Sequence, residues 1–229
     1  MTTTLVCLPF AGAGASFYRP WAKLAGAHLD VLAVQLPGRE RRIDDEPHRD
    51  VPSAVTEVLS DLRDVDGPLA LFGHSLGAVL GYELAHRLVA AGRPLVRLFV
   101  SGSPEPASPR TERATGLPDA EFLATVSDFA GYTGEALADP EMLELVLPTL
   151  RADIEMHENY VAGTDDPLDV PITALRGSAD TLVDADAVQG WAKVTSREFD
   201  HVELPGGHMY LTESAPLLVR FLADTLQHD

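Results

Sequence analysis

Leu69-Ala70-Leu71-Phe72-Gly73-His74-Ser75-Leu76-Gly77 is the stretch that decides how this chain folds. Four apolar residues read as a short buried strand, and the run from Ala78 to Ala91 is helix-compatible and stopped by Gly92. The G-x-S-x-G string between them predicts a strand, a tight turn and a helix, with a serine at the bend. Gly73 and Gly77 lack the Cβ atoms that would collide where strand and helix come close. Ser75 is then held in a strained conformation that projects its hydroxyl from the carboxyl edge of a sheet. The Leu76 amide has no partner inside the helix and lies at the positive end of its dipole, which suits it to hold a developing oxyanion.

On the N-terminal side, Leu5 to Pro9 reads as a strand, Phe17 to Ala27 as a helix with Trp21 and Leu24 on one face, and Asp30 to Leu36 as a strand closed by Pro37-Gly38. Val51 to Arg63 repeats apolar residues at helical spacing. After the serine helix, strands are expected at 95–101, 172–176 and 201–204, and a closing helix at 215–226. Strands alternating with helices predict an α/β fold with a mostly parallel, doubly wound sheet. The alternation breaks between Ser103 and Asp169, where Leu117-Pro118-Asp119 looks like a helix start with Asp119 near the N-cap, Asp139 looks like the cap of a second helix, and Pro148 should kink or end that helix. The expectation is one domain over residues 1–229, with a helical lid inserted at about 105–168.

Formal net charge is −18, which disfavours nucleic acid and anionic membrane as partners. No apolar run reaches membrane-span length, and no signal-type segment opens the sequence. One cysteine excludes an internal disulfide and a cysteine-rich metal site, so the cytosol is the expected compartment and no metal is expected. The bases cluster once, at Arg39, Arg41 and Arg42, either as a solvated loop or as a local docking patch, with burial in a structural ion pair an equal alternative for Arg39.

A serine nucleophile needs a base, and the base needs an orienting acid. The strand-elbow-helix pattern resembles that of α/β-hydrolases, in which serine, acid and histidine follow in that chain order, the base after the last strand. Among the eight histidines, His208 occupies such a place, in the loop Pro205-Gly206-Gly207-His208-Met209. His201 sits at the start of a strand and His228 in the terminal tail. The acid should follow the preceding strand, and Asp180 ends the loop Arg176-Gly177-Ser178-Ala179-Asp180. Asp184 and Asp186 read instead as caps of the next helix. A second oxyanion donor is expected from Pro9-Phe10-Ala11-Gly12-Ala13-Gly14, with the Ala11 amide favoured and Phe10 a rival.

Leu8-Pro9-Phe10-Ala11-Gly12, Leu36-Pro37-Gly38-Arg39-Glu40, Gly73-His74-Ser75-Leu76-Gly77, Leu117-Pro118-Asp119, Leu147-Pro148-x-Leu150-Arg151-Ala152-Asp153 and Pro205-Gly206-Gly207-His208 occur in one order. Together they resemble the type II thioesterases of polyketide synthase and nonribosomal peptide synthetase systems. The resemblance implies the α/β-hydrolase fold and a Ser75, Asp180, His208 triad. It also implies hydrolysis of aberrant acyl groups from the phosphopantetheine arm of an acyl or peptidyl carrier protein. No cofactor is expected beyond the phosphopantetheine carried by the substrate. Phe10, Phe129, Met156 and Met209 are the candidate substrate-binding residues. The alternatives are a general carboxylesterase, an acyltransferase, or a non-catalytic carrier-binding subunit on the same scaffold.

Overall fold

A computed structural model describes residues 2–26, 29–108, 113–130 and 139–228, with the side chains of 128–130 and 140 outside that description. Six parallel strands form one sheet: β1 (Thr4–Leu8), β2 (Asp30–Ala33), β3 (Leu69–His74), β4 (Leu95–Ser101), β5 (Ile172–Gly177) and β6 (Phe199–Leu204). Their spatial order is β2-β1-β3-β4-β5-β6. The chain steps outward from β1 to β2, then returns to the other side of β1 with β3. That reversal opens a crevice at the carboxyl ends of β1 and β3, where parallel sheets bind ligands. Every residue of β1 and β3 is buried, which explains why they read as unbroken apolar runs rather than alternating ones.

Helices cover both faces. α1 (Arg19–Ala25) and α8 (Ala215–Leu226) pack on one face, around Trp21, Phe72, Phe99, Leu218 and Leu222. α2 (Val51–Asp61) and α3 (Leu76–Ala90) pack on the other, around Val55, Val58, Leu80 and Leu84. α1 turns Trp21 and Ala25 inward, whereas Leu24 is 44% exposed, so the face expected for Leu24 is corrected. The i, i+4 pair, not i, i+3, sets the buried stripe in this short helix.

Between β4 and β5 lie α4 (Asp119–Ala130) and α5 (Pro140–Glu158). Asp139 caps α5 as expected, accepting from the Glu141 and Met142 amides. Asp119, expected near an N-cap, is the first residue of α4, and its carboxylate pairs with Arg151. Pro148 does not end α5, which runs through it to Glu158. Pro148 and Glu144, whose carbonyl loses its donor, are both exposed, so water can take the vacated acceptor. Phe122, Val126 and Leu150 form a small core of their own, with Ala11 of the first loop packed against it. Two short helices complete the fold, α6 (Ala185–Gln189), capped by Asp184, and α7 (Tyr210–Glu213).

Candidate active site

The turn after β3 has the expected strain. Ser75 has φ 52° and ψ −117°, and among the described residues only Ser75 and Glu40 combine a side chain with a positive φ. Such conformations persist where the surroundings over-determine them. Here the Ser75 amide donates to the Ser101 carbonyl of β4 at 2.8 Å, and the Ser75 carbonyl accepts from Ala78. A Cβ on Gly73 would overlap the Gly77 carbonyl, and one on Gly77 would lie 2.6 Å from the Leu8 carbonyl oxygen. Both glycines are therefore required by close backbone approach. The Leu76 amide starts α3 and has no backbone acceptor among the described residues.

Asp180 and His208 meet. His208 Nδ1 donates to Asp180 Oδ2 at 2.9 Å, with the Asp180 side chain fully buried and that of His208 10% exposed. Asp180 Oδ1 accepts from the Leu182 and Val183 amides at 2.9 and 3.1 Å. Burial alone would raise the Asp180 pKa, but the His208 hydrogen bond and charge, with those two amides, outweigh it and lower it. Ser178 N–H donates to the Leu204 carbonyl and Ala179 N–H to that of Gly206, so the acid and base loops are stitched together. A Cβ on Gly177 would overlap the Gly207 carbonyl.

Sequence reasoning missed Arg176. Its buried guanidinium donates to the carbonyls of Val183 and Asp180 at 3.0 Å each and pairs with Glu203, closing the acid loop. An arginine continuing the largely apolar run Ile172 to Leu175 into that loop was the available signal. It also missed the chain behind the base. His74 Nδ1 lies 2.9 Å from Ser101 Oγ, which lies 2.7 Å from the Tyr210 hydroxyl. The His74 ring sits 4.8 Å from that of His208, centroid to centroid. Burial, then the neighbouring His208, hold the His74 pKa well below the ordinary histidine value.

Ser75 is half-buried and its hydroxyl makes no hydrogen bond among the described residues. It shares the sheet's carboxyl edge with His208, and Gly102, next to the Ser101 carbonyl that anchors Ser75, lies against both imidazoles. Hydrogen bonds of this kind commonly tighten only when substrate is bound.

Ala11 and Gly12 occupy the centre of a turn closed by the Ala13 amide donating to the Phe10 carbonyl at 2.9 Å. Neither the Phe10 nor the Ala11 amide has a backbone acceptor among the described residues. Phe10 and Met209 are half-buried near the edge, whereas Met156, 1% exposed, is packed into the core with Tyr160 and Leu168. The Phe129 side chain lies outside the described residues. The expected arginine patch needs correction. Arg39 is buried against Asp153, and Arg42 pairs with Asp45 and Glu57, which leaves Arg41 exposed with no ion pair among the described residues. An open groove of about 940 Å³ between α2 and the far end of α3 includes none of the predicted site residues.

Comparison with known proteins identifies the family. The chain is 34% identical over 227 residues to the gramicidin S biosynthesis protein GrsT of Aneurinibacillus migulanus, covering 97% of this chain and 88% of that protein. Among solved structures it is similar to the type II thioesterase BorB from the borrelidin biosynthetic cluster, with a TM-score of 0.88 and 34% identity over 99% of this chain and 92% of that one. The RedJ thioesterase of the prodiginine pathway in Streptomyces coelicolor superposes with a TM-score of 0.88 at 33% identity, covering 97% of this chain and 85% of that one. The family model for the thioesterase domain matches residues 3–226, and the chain belongs to that family.

Proposed function

We propose that this chain is a serine thioesterase that removes stalled or aberrant acyl groups from the phosphopantetheine arm of acyl or peptidyl carrier proteins, editing a polyketide or nonribosomal peptide assembly line. The observation that carries the reading is the Asp180–His208 hydrogen bond, set at the same sheet edge as the strained Ser75 turn. The names of the similar proteins, type II thioesterases of biosynthetic clusters among them, support the assembly-line role. The free, buried Cys7 is consistent with a cytosolic enzyme.

The chemistry follows from the groups present. Asp180 accepts from His208 Nδ1–H, which leaves Nε2 unprotonated and able to take the Ser75 proton. The Ser75 oxygen attacks the thioester carbonyl, and the negative charge moves to the carbonyl oxygen. Amides of Leu76 and Ala11 would hold that oxyanion, each donor contributing about 3 kcal/mol in the transition state. The carbon–sulfur bond then breaks, His208 gives its proton to the departing thiolate, and an acyl-serine remains. His208 next takes a proton from water, the resulting hydroxide displaces the acyl group, and the proton returns to Ser75. Every group the cycle uses is a side chain or amide of this chain, so the only prosthetic arm in the reading is the phosphopantetheine of the substrate. The insertion at about 105–168 would act as a lid, with Phe10 and Met209 as candidate acyl contacts, whereas the expected role of Met156 is corrected by its burial in the core.

The test is hydrolysis of a panel of acyl-carrier thioesters from acetyl to long chain, beside acyl-N-acetylcysteamine thioesters and p-nitrophenyl esters, with Ser75→Ala as control. The expected result is preference for the carrier-bound thioester and no turnover by Ser75→Ala. Preference for the p-nitrophenyl ester would favour an esterase, and full activity of Ser75→Ala would sink the reading.

A further inference from the structure

The Arg39-Glu40 and Arg151-Ala152-Asp153 strings supply no part of the proposed triad, yet the fold brings them to one place, the loop after β1. Asp153 Oδ2 accepts the Gly12 amide at 2.8 Å. The same carboxylate takes a two-pronged contact from Arg39, with Nη1 to Oδ2 at 2.7 Å and Nη2 to Oδ1 at 2.8 Å. Arg39 Nη1 also donates to the Ala13 carbonyl at 2.9 Å. Glu40 accepts from the Ser16 amide at 3.0 Å and from the Ser16 hydroxyl. The loop is thus gripped at Gly12, Ala13 and Ser16 by three consecutive contacts from outside it.

The grip bears on one peptide in particular. Ala11 and Gly12 are the two central residues of the Phe10–Ala13 turn, and Gly12 has φ +77°, the value of the third position in a type II turn. Type I and type II turns differ by a flip of the middle peptide, here the one joining Ala11 to Gly12. A carboxylate facing the Gly12 N–H holds that peptide in one sense, because the flip would turn the Ala11 carbonyl oxygen towards it. Arg39 fixes the carboxylate in turn, since a planar fork binds in one orientation. Burial of the pair is not itself a stability argument. Buried ion pairs are often matched or bettered by apolar replacements, and here Arg39 is 6% and Asp153 0% exposed. Glu40, the second strained non-glycine residue, stands beside the pair.

We propose that Asp153, held by Arg39, is a positioning residue for the oxyanion loop: by anchoring Gly12 it keeps the Phe10–Ala13 turn in one form and one place, and so fixes where the Ala11 N–H, which belongs to the preceding peptide, meets the thioester oxygen. This rests on the reading of Ser75 as nucleophile and Ala11 as oxyanion donor.

The test compares wild type, Ser75→Ala, the double variant Arg39→Met/Asp153→Leu and a rescue variant, Arg39→Met/Asp153→Asn. Each is assayed with an acyl-N-acetylcysteamine thioester, with separate kcat and KM. Affinities are measured for a trifluoromethyl ketone, which forms an oxyanion on the serine, and for an unreactive thioether analogue. The double variant removes both charges and should unfold within a few degrees of wild type. Its kcat is expected to fall between about tenfold and 100-fold, with KM changed less than about threefold. Affinity for the ketone should fall in parallel and that for the thioether should hold. Arg39→Met/Asp153→Asn, which keeps an oxygen for Gly12 and leaves no unpaired guanidinium, should recover most of the lost kcat. A folded double variant with wild-type kcat, a parallel loss of thioether affinity, or a double variant that does not fold would each overturn the proposal. Full activity of Ser75→Ala would instead overturn the nucleophile reading, so the two failures are distinguishable.

Discussion

Asp180→Asn isolates what the buried carboxylate does, and its size can be worked from the hydrogen bonds. In the folded protein one oxygen of Asp180 accepts from two backbone amides, Leu182 and Val183, while the other accepts from His208 Nδ1–H. An asparagine has one oxygen and one NH2 to place in those two positions. With the oxygen towards the amides, the NH2 faces His208, which must then accept through Nδ1 and carry its proton on Nε2. That tautomer cannot take the Ser75 proton. The opposite orientation restores the working tautomer but sets an NH2 group against two buried N–H donors. Leaving two such donors unmet costs about 1–3 kcal/mol each, so about 2–6 kcal/mol in all. Each 1.36 kcal/mol is tenfold, so the competent fraction falls between about 30-fold and about 3 × 10⁴-fold. The expected result is a kcat loss in that range with KM little changed, read by thiol release from an acyl-N-acetylcysteamine thioester. Circular dichroism and thermal unfolding should remain near wild type, since the amides keep their acceptor. A folded Asp180→Asn enzyme within threefold of wild-type kcat would refute the tautomer argument and remove Asp180 from the proposed triad.

Gly73→Ala should abolish folding or destabilise by about 3 kcal/mol or more, because the new Cβ meets a backbone carbonyl that cannot move aside; soluble yield and thermal unfolding check this, and an intact Tm would contradict it. Stability should decline below neutral pH: buried His74 stays neutral when folded but takes a proton on unfolding below its ordinary value of 6.5, so stability is full above that and falls as pH falls. That linkage amounts to about 2 kcal/mol between pH 7.5 and 5, and a His74→Asn variant should show a flatter profile in urea titrations; equal slopes would dismiss it. Arg41→Glu should raise KM for an acyl-carrier substrate by roughly threefold to tenfold at low salt, because Arg41 is the exposed arginine of its cluster without an ion pair among the described residues. Small acyl thioesters should be unaffected, and equal effects on both would rule out a docking role.

The parts of this site that can be read from the sequence are those fixed by short-range sterics. The spacing of Gly73, Ser75 and Gly77 encodes the turn, because the clash each glycine avoids involves backbone only a few residues away or on the adjoining strand. Asp180 and His208 are found by counting strands, since each follows directly on one, β5 and β6. Arg39 and Asp153 illustrate what a single sequence withholds. They stand 114 positions apart, and nothing local tells whether an arginine in a charged string faces solvent or a buried carboxylate. Docking and a buried ion pair are equal readings of Arg39 in the sequence, and the fold selects the ion pair. Pro148 failed as a helix stop for a related reason. A proline ends a helix when the carbonyl it orphans is buried, and burial is a tertiary property.

The two neighbouring imidazoles raise a question that the fold answers by burial. At about 5 Å and an effective dielectric near 20, two positive rings would repel by about 3 kcal/mol, more than two tenfold steps against charging His208 as the acyl transfer proceeds. One of the two must therefore stay neutral. His74 is fully enclosed, and it is bonded through Nδ1 to Ser101, while its Nε2 has no partner among the described residues. Burial thus assigns neutrality to His74. His208 faces the Asp180 carboxylate and keeps some exposure, which suits it to carry the positive charge in the proposed cycle. The histidine beside the serine then works as a dry, uncharged wall behind the base. Its position next to Ser75 in the sequence follows from the elbow, which turns consecutive side chains in opposite directions: Ser75 towards the crevice and His74 into the protein.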